Sequence, residues 1–164
     1  RRVPGAYMTS VMDLGMYEDI HPKHKKEVGE RLALLARGKV YKEELLCEPP
    51  ALLGAERKGK KIILHFAHAG VGLWRKEKTP EAEPEAERPA PLTGPREMKD
   101  GFLVLQGEKP LEIGEVRLWG SEVILHVPSL SEEKCAVSFA QVPYVRVRIY
   151  NSADLPMKPF YCEL

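Results

Sequence analysis

The stretch Met12 to Gly38, MDLGMYEDIHPKHKKEVGERLALLARG, combines two acidic positions, a His-Pro step and a segment with helical start and stop signals. Pro22 suits the first turn of a helix, where its fixed φ helps and its missing N–H is not needed. Beyond it, Val28, Leu32 and Leu35 recur at i, i+4 and i+7, while Lys25, Lys26, Glu30 and Arg37 lie mostly off that stripe. Gly38 supplies a left-handed stop. His21 is therefore expected on the loop just before a helix, with Glu18 and Asp19 close by in sequence.

A helix N-terminus carries partial positive charge, which disfavours an imidazolium. A histidine that must accept a proton there needs a carboxylate to orient and stabilise it. Asp19 and Glu18 are the nearest candidates, and Asp13 could fold back. The competing reading makes Asp19 a charge complement of the helix start and His21 a capping or surface side chain, since helix starts favour acidic residues whatever the function.

The stretch DLGMYEDIHPKHKKEVGERLALLA resembles the end of the catalytic domain of the sialate O-acetylesterase family, SGNH-type serine esterases whose last block supplies the histidine of a catalytic triad. LHFAHAGVGL at 64–73 and YNSADLPMKPF at 150–160 resemble signature stretches of that family's C-terminal β domain. The resemblance implies a carbohydrate O-acetylesterase acting on acetylated sialic acid or a related sugar, with His21 as the catalytic base and no cofactor. The wider superfamily pattern is Asp-x-x-His, whereas here Glu18 stands three before His21 and Asp19 two before. The resemblance thus implies Asp19 as the acid partner, with Glu18 as the alternative. The family's nucleophile lies in a Gly-Gln-Ser-type motif that this sequence lacks, so an upstream catalytic segment carrying the serine is an expected partner. Family members are commonly exported or lysosomal, which points weakly to an extracytoplasmic setting.

Composition bounds the alternatives. With 164 residues, 43% hydrophobic and 30% charged, the chain can bury one modest core. Twenty-five basic against 24 acidic side chains leave a net charge of +1, which gives no field toward nucleic acid or an anionic membrane. No apolar run approaches a membrane span. Cys47, Cys135 and Cys162 form no Cys-x-x-Cys pair, and free, partly buried thiols are expected.

Val11 to Leu14 reads as a brief buried strand. A parallel sheet needs neighbours on both sides, and no other βαβ unit is present to supply them. Residues 1–38 are accordingly expected to be an α/β remnant, the strand-loop-helix end of an SGNH-type esterase domain. Residues 39–59 read as a connector broken by Pro49-Pro50. From Lys60 the hydrophobic period changes from 3.6 to 2. Strands are expected at Lys61–Phe66, Leu73-Trp74, Phe102–Leu105, Glu115–Trp119, Glu122–Val127, Cys135–Ala140 and Val145–Tyr150, with Gly120-Ser121 as a two-residue hairpin turn. Many short strands with regular turns predict a mainly antiparallel β-sandwich over 60–164. The Pro- and Glu-rich insert near 76–98 has too little apolar surface to repay its ordering entropy and reads as an exposed loop.

The remaining groups take structural readings. A zinc site wants three or four converging ligands, and His65 with His68 lacks the metalloprotease spacing, so no metal is expected. The basic clusters at 23–26 and 57–61 lack interleaved aromatics and read as solvated surface. Trp74, Trp119 and Tyr144 could form a sugar-stacking platform, but each sits in or near an apolar run and core packing is favoured. Ser10, Ser121, Ser129, Ser131, Ser138 and Ser152 lack the context of a nucleophile. The rival to the esterase reading is a non-catalytic β-sandwich accessory or carbohydrate-binding module.

Overall fold

The period-2 alternation that begins at Lys61 builds two antiparallel sheets whose apolar faces meet. The structure is a computed structural model that describes residues 3–16, 21, 23–77 and 95–164. One helix, α1 (Lys25–Lys39), precedes ten strands: β1 (Ala51–Lys58), β2 (Lys61–Ala67), β3 (Trp74–Arg75), β4 (Phe102–Gln106), β5 (Lys109–Leu111), β6 (Glu115–Trp119), β7 (Glu122–His126), β8 (Cys135–Phe139), β9 (Ile149–Tyr150) and β10 (Phe160–Glu163). One sheet has the order β1-β2-β7-β6, a second β10-β8-β4-β5, and β3 pairs with β9. Every strand pairing is antiparallel.

Ile62, Leu64, Val123 and Leu125 from the first sheet pack with Phe102, Val104, Val137 and Phe139 from the second in one continuous core. Removing each such side chain from water contributes about 1.5–3 kcal/mol. Phe102 and Phe139 approach with ring centroids 4.8 Å apart, and Phe160 stacks on Phe139 at 5.9 Å. The chain is thus a β-rich domain with a single helix among the described residues.

Several expected elements change character. Residues 51–58, read as connector, form β1 and pair with β2 across a two-residue Gly59-Lys60 turn. Gly59 has φ +58°, the left-handed value such a hairpin needs. Val11 to Leu14, read as a strand, forms a turn closed by Leu14 N–H donating to the Val11 carbonyl. Without flanking strands its backbone has no ladder to join, so the strand of the expected α/β remnant is not formed. Val145 to Val147 run alongside the sandwich unpaired, and only Ile149 and Tyr150 enter a sheet. Glu18, Asp19 and Pro22, together with 78–94 of the Pro- and Glu-rich insert, lie outside the described residues.

The helix also differs from its periodic reading. It starts at Lys25, and Gly38 lies inside it rather than ending it. The left-handed residue beyond its end is Lys42, at φ +62°. Gly38 is instead a point of close approach: a Cβ there would overlap the Cys47 side chain. The buried face carries Arg31 and Leu35, while Leu32, expected on the apolar stripe, is 52% exposed.

Arg31 takes the inward position because a carboxylate waits for it. Its guanidinium donates two hydrogen bonds of 2.6 Å, one to each oxygen of Asp13, and a third of 3.0 Å to the Ser10 carbonyl. The Asp13 side chain is wholly buried, and its Oδ2 also accepts the Tyr150 hydroxyl at 3.0 Å. Burial first, and then the Asp13 charge, push the Tyr150 phenol far above its ordinary pKa. The 3–16 segment, α1 and the end of β9 are pinned together at this point.

Two outcomes are expected in solution. Gly38→Ala destabilises the chain in denaturant unfolding although alanine is the better helix former, whereas Gly29→Ala, with open space around its Cβ, stabilises it by about 0.5–1 kcal/mol. Arg31→Ala costs about 3–5 kcal/mol by leaving the Asp13 carboxylate buried and unpaired. The raised Tyr150 pKa stabilises the fold below the unfolded-chain value of about 10, and that contribution is lost as pH climbs above it. Stability measured across the alkaline range therefore falls above about pH 10, by up to about 1.4 kcal/mol per pH unit, and Tyr150→Phe removes that part of the slope.

Candidate functional site

His21 stands four residues before the first helical residue, Lys25. The helix N-cap is His24, whose side chain makes no capping hydrogen bond and whose Nδ1 lies 3.3 Å from Glu27 Oε1. A backbone N–H at the helix start, and then the His24 ring, hold the Glu27 carboxyl below its usual value. The positive end of the helix is thus already answered by Glu27. His21 itself is exposed to solvent.

Asp13, one of the three carboxylates considered for the imidazole, is engaged instead by Arg31 and Tyr150. Both of its oxygens are taken by Arg31, and one also by Tyr150. Sequence spacing put Asp13 within reach of a fold-back. What it could not reveal was a guanidinium 18 residues on that claims the carboxylate first. The signal for Arg31 was available only as an arginine standing where the helical stripe turns inward.

A cleft of about 430 Å³ runs along α1, between the helix face carrying Glu27, Glu30, Arg31 and Leu34 and the loop at Asp154-Leu155. That loop is held by Asn151, which is fully buried. Its side-chain amide donates to the carbonyls of Glu48 (2.9 Å) and His68 (2.8 Å), and its Oδ1 accepts from the N–H groups of Ala153 and Leu155, both at 3.1 Å. The Asn151 carbonyl accepts the Trp74 indole N–H at 2.8 Å. The stretch YNSADLPMKPF thus supplies Tyr150 to the buried ion pair and Asn151 to the loop that walls the cleft.

The other histidines lie elsewhere. His68, at φ +60°, has Nε2 3.5 Å from Glu48 Oε2, which also meets Lys39. Burial pushes the Glu48 carboxyl up, but the Lys39 hydrogen bond and the His68 charge outweigh it and hold it below the usual value. His65 sits on the sheet between Glu122, at 3.1 Å, and Glu56, at 3.6 Å. Among the described residues no group of three or more His, Cys, Asp or Glu converges as a metal site would require.

Trp119, for which core packing was favoured, is 72% exposed, because the alternation of β6 turns Val116 inward and residues 115, 117 and 119 outward. Cys47 and Cys135 are buried, and all three cysteines are unbridged. Among the described residues the only α-helix is capped by His24, so no serine there stands at the strand-to-helix turn that presents a nucleophile. No described helix is long and apolar enough to cross a membrane.

No protein-family model matches the chain, and no curated protein matches it. Among solved structures it is similar to one described as a carbohydrate acetylesterase from Xanthomonas citri, with a TM-score of 0.68 and 24% sequence identity. The match covers 94% of this chain and 32% of that one, so the chain spans about a third of that protein's length. The likeness is one of fold: a β-rich architecture shared over nearly all of this sequence.

Proposed function

We propose that the chain is part of a carbohydrate O-acetylesterase of the Ser-His-acid type, similar to sialate O-acetylesterases, and that it contributes the histidine block. The observation that carries this reading is the fold likeness, over 94% of the chain, to a structure described as a carbohydrate acetylesterase. The helix that follows His21 is tied by the Asp13–Arg31 pair, which supports it.

In this proposal residues 1–38 belong to the catalytic domain, 39–59 connect, and 60–164 form the β-sandwich domain. The nucleophile is a serine outside this sequence. Its Oγ attacks the acetyl carbonyl while the proton passes to His21. Asp19, or failing it Glu18, orients the imidazole and stabilises its charged form. As the tetrahedral intermediate collapses, the bond from carbonyl carbon to sugar oxygen breaks, and His21 returns the proton to the leaving hydroxyl. Water then attacks the acetyl-enzyme with His21 again as base, releasing acetate and regenerating the serine. Donors aimed at the carbonyl oxygen stabilise the developing negative charge, so no cofactor is required.

The test uses a gene product that extends upstream of Arg1, assayed for acetate release from acetylated sialic acid and from acetylated xylo-oligosaccharides. His21→Ala is expected to lower kcat by about a thousandfold or more, as loss of a triad member does. A loss under about tenfold makes His21 structural and defeats the proposal. Asp19→Asn and Glu18→Gln measured side by side identify the carboxylate, with the larger loss expected for Asp19. The 164-residue chain alone is expected to show no turnover of an aryl acetate.

A further inference from the structure

Cross-strand register defines what the outer face of the β1-β2-β7-β6 sheet presents. Residues directly opposite one another share a face. One row runs Gly54, His65, Glu122, Trp119; the next runs Glu56, Ile63, Ile124, Arg117; the third runs Lys58, Lys61, His126, Glu115. The inward partners of these residues, among them Ile62, Leu64, Val123 and Leu125, are wholly buried. The outward ones are half-buried to exposed, most of all along β6.

The first row sets a polar pair between Gly54 and Trp119. Trp119, on edge strand β6, stands at one end with its ring open to solvent. The turn carrying Val71, which is 96% exposed, closes beside it, because the neighbouring Leu73 N–H donates to the Gly120 carbonyl. Leu53, the extra residue of the β1 bulge beside Gly54, is 73% exposed near the other end. Between them lies the His65–Glu122 pair. A single exposed apolar side chain is ordinary, but an indole in line with a carboxylate–imidazole pair is a recognition surface with its own chemistry.

Charge and shape select the ligand class. Glu56, Glu115 and Glu122 are interleaved with Lys58, Lys61 and Arg117, and Glu56–Lys58 and Glu115–Arg117 already pair at 2.8 and 3.1 Å. The face therefore offers no net field for an anion. Its centre is Ile63 and Ile124, ringed by these charged groups and by His65 and His126. The distance from Trp119 to His65 is two strand spacings, about 10 Å, room for two adjoining pyranose rings. A sugar has an apolar C–H face that stacks on an aromatic ring, and hydroxyls that donate to carboxylates and accept from guanidinium or imidazole N–H groups.

We propose that this outer sheet face binds a neutral polysaccharide, with the Trp119 indole as the stacking platform and Glu122, His65 and Arg117 as hydroxyl partners. The surface goes beyond the esterase reading. It needs neither His21 nor an acetyl group on the ligand.

Affinity electrophoresis of the 164-residue chain through gels containing glucomannan, xylan or galactan, with a heparin gel as the anionic control, tests it. Retardation is expected with at least one neutral polymer. Trp119→Ala weakens binding by about tenfold or more, as loss of an aromatic stacking platform does, while Trp119→Tyr retains most of it and both variants keep the wild-type circular dichroism spectrum. His21→Ala leaves the retardation unchanged, so a failure of the esterase reading and a failure of this one are separable. The proposal is overturned by migration unaffected in every neutral gel, by retardation that Trp119→Ala does not reduce, by retardation in heparin alone, or by Trp119-dependent self-association in sedimentation with no polysaccharide effect.

Discussion

The Asp13 carboxylate, wholly buried and shared between Arg31 and Tyr150, is the constraint on which the arrangement of the N-terminal third depends. An ion removed from water at this position is tolerable only if it is paired and hydrogen-bonded, and it is, by three donors from two other parts of the chain. The α-helix has no strand beside it in the 11–14 segment to pack on. Its inward face carries Arg31 and Leu35, and the arginine ties it to Asp13.

The same junction connects the helix to the β domain. Tyr150 and Asn151 are consecutive, and one reaches toward the helix while the other gathers the carbonyls of Glu48 and His68 and the loop at 153–155. The cleft along α1 therefore has walls belonging to both regions. His21, the base of the proposed mechanism, lies four residues before the first residue of that helix.

On the sheet, stability and the proposed saccharide binding use opposite faces. The inward residues of β2, β6 and β7 make the core, and the outward ones display an indole beside hydrogen-bonding pairs. Strands that alternate strictly make this division possible, because each inward anchor fixes the direction of its two neighbours. The proposed catalytic block and the proposed saccharide face are thus separate parts of one frame.

Much of this was legible in the chain. The alternations at Lys61–Phe66, Phe102–Leu105, Glu115–Trp119, Glu122–Val127 and Cys135–Ala140 determined an antiparallel β-rich fold, because side-chain direction in a strand follows from local geometry alone. The helix was legible for the same reason, and His21 stood out by its neighbours in sequence. Which helix face turns inward was decided only by tertiary structure, since Arg31 is buried through a carboxylate 18 residues earlier that also binds a phenol 137 residues further on. The outward placement of Trp119, the pairing of β1 and the role of Gly38 against Cys47 were decided in the same way. Periodicity reports what a residue prefers among its immediate neighbours. Burial, close approach and charge pairing depend on partners that only the folded chain brings within reach.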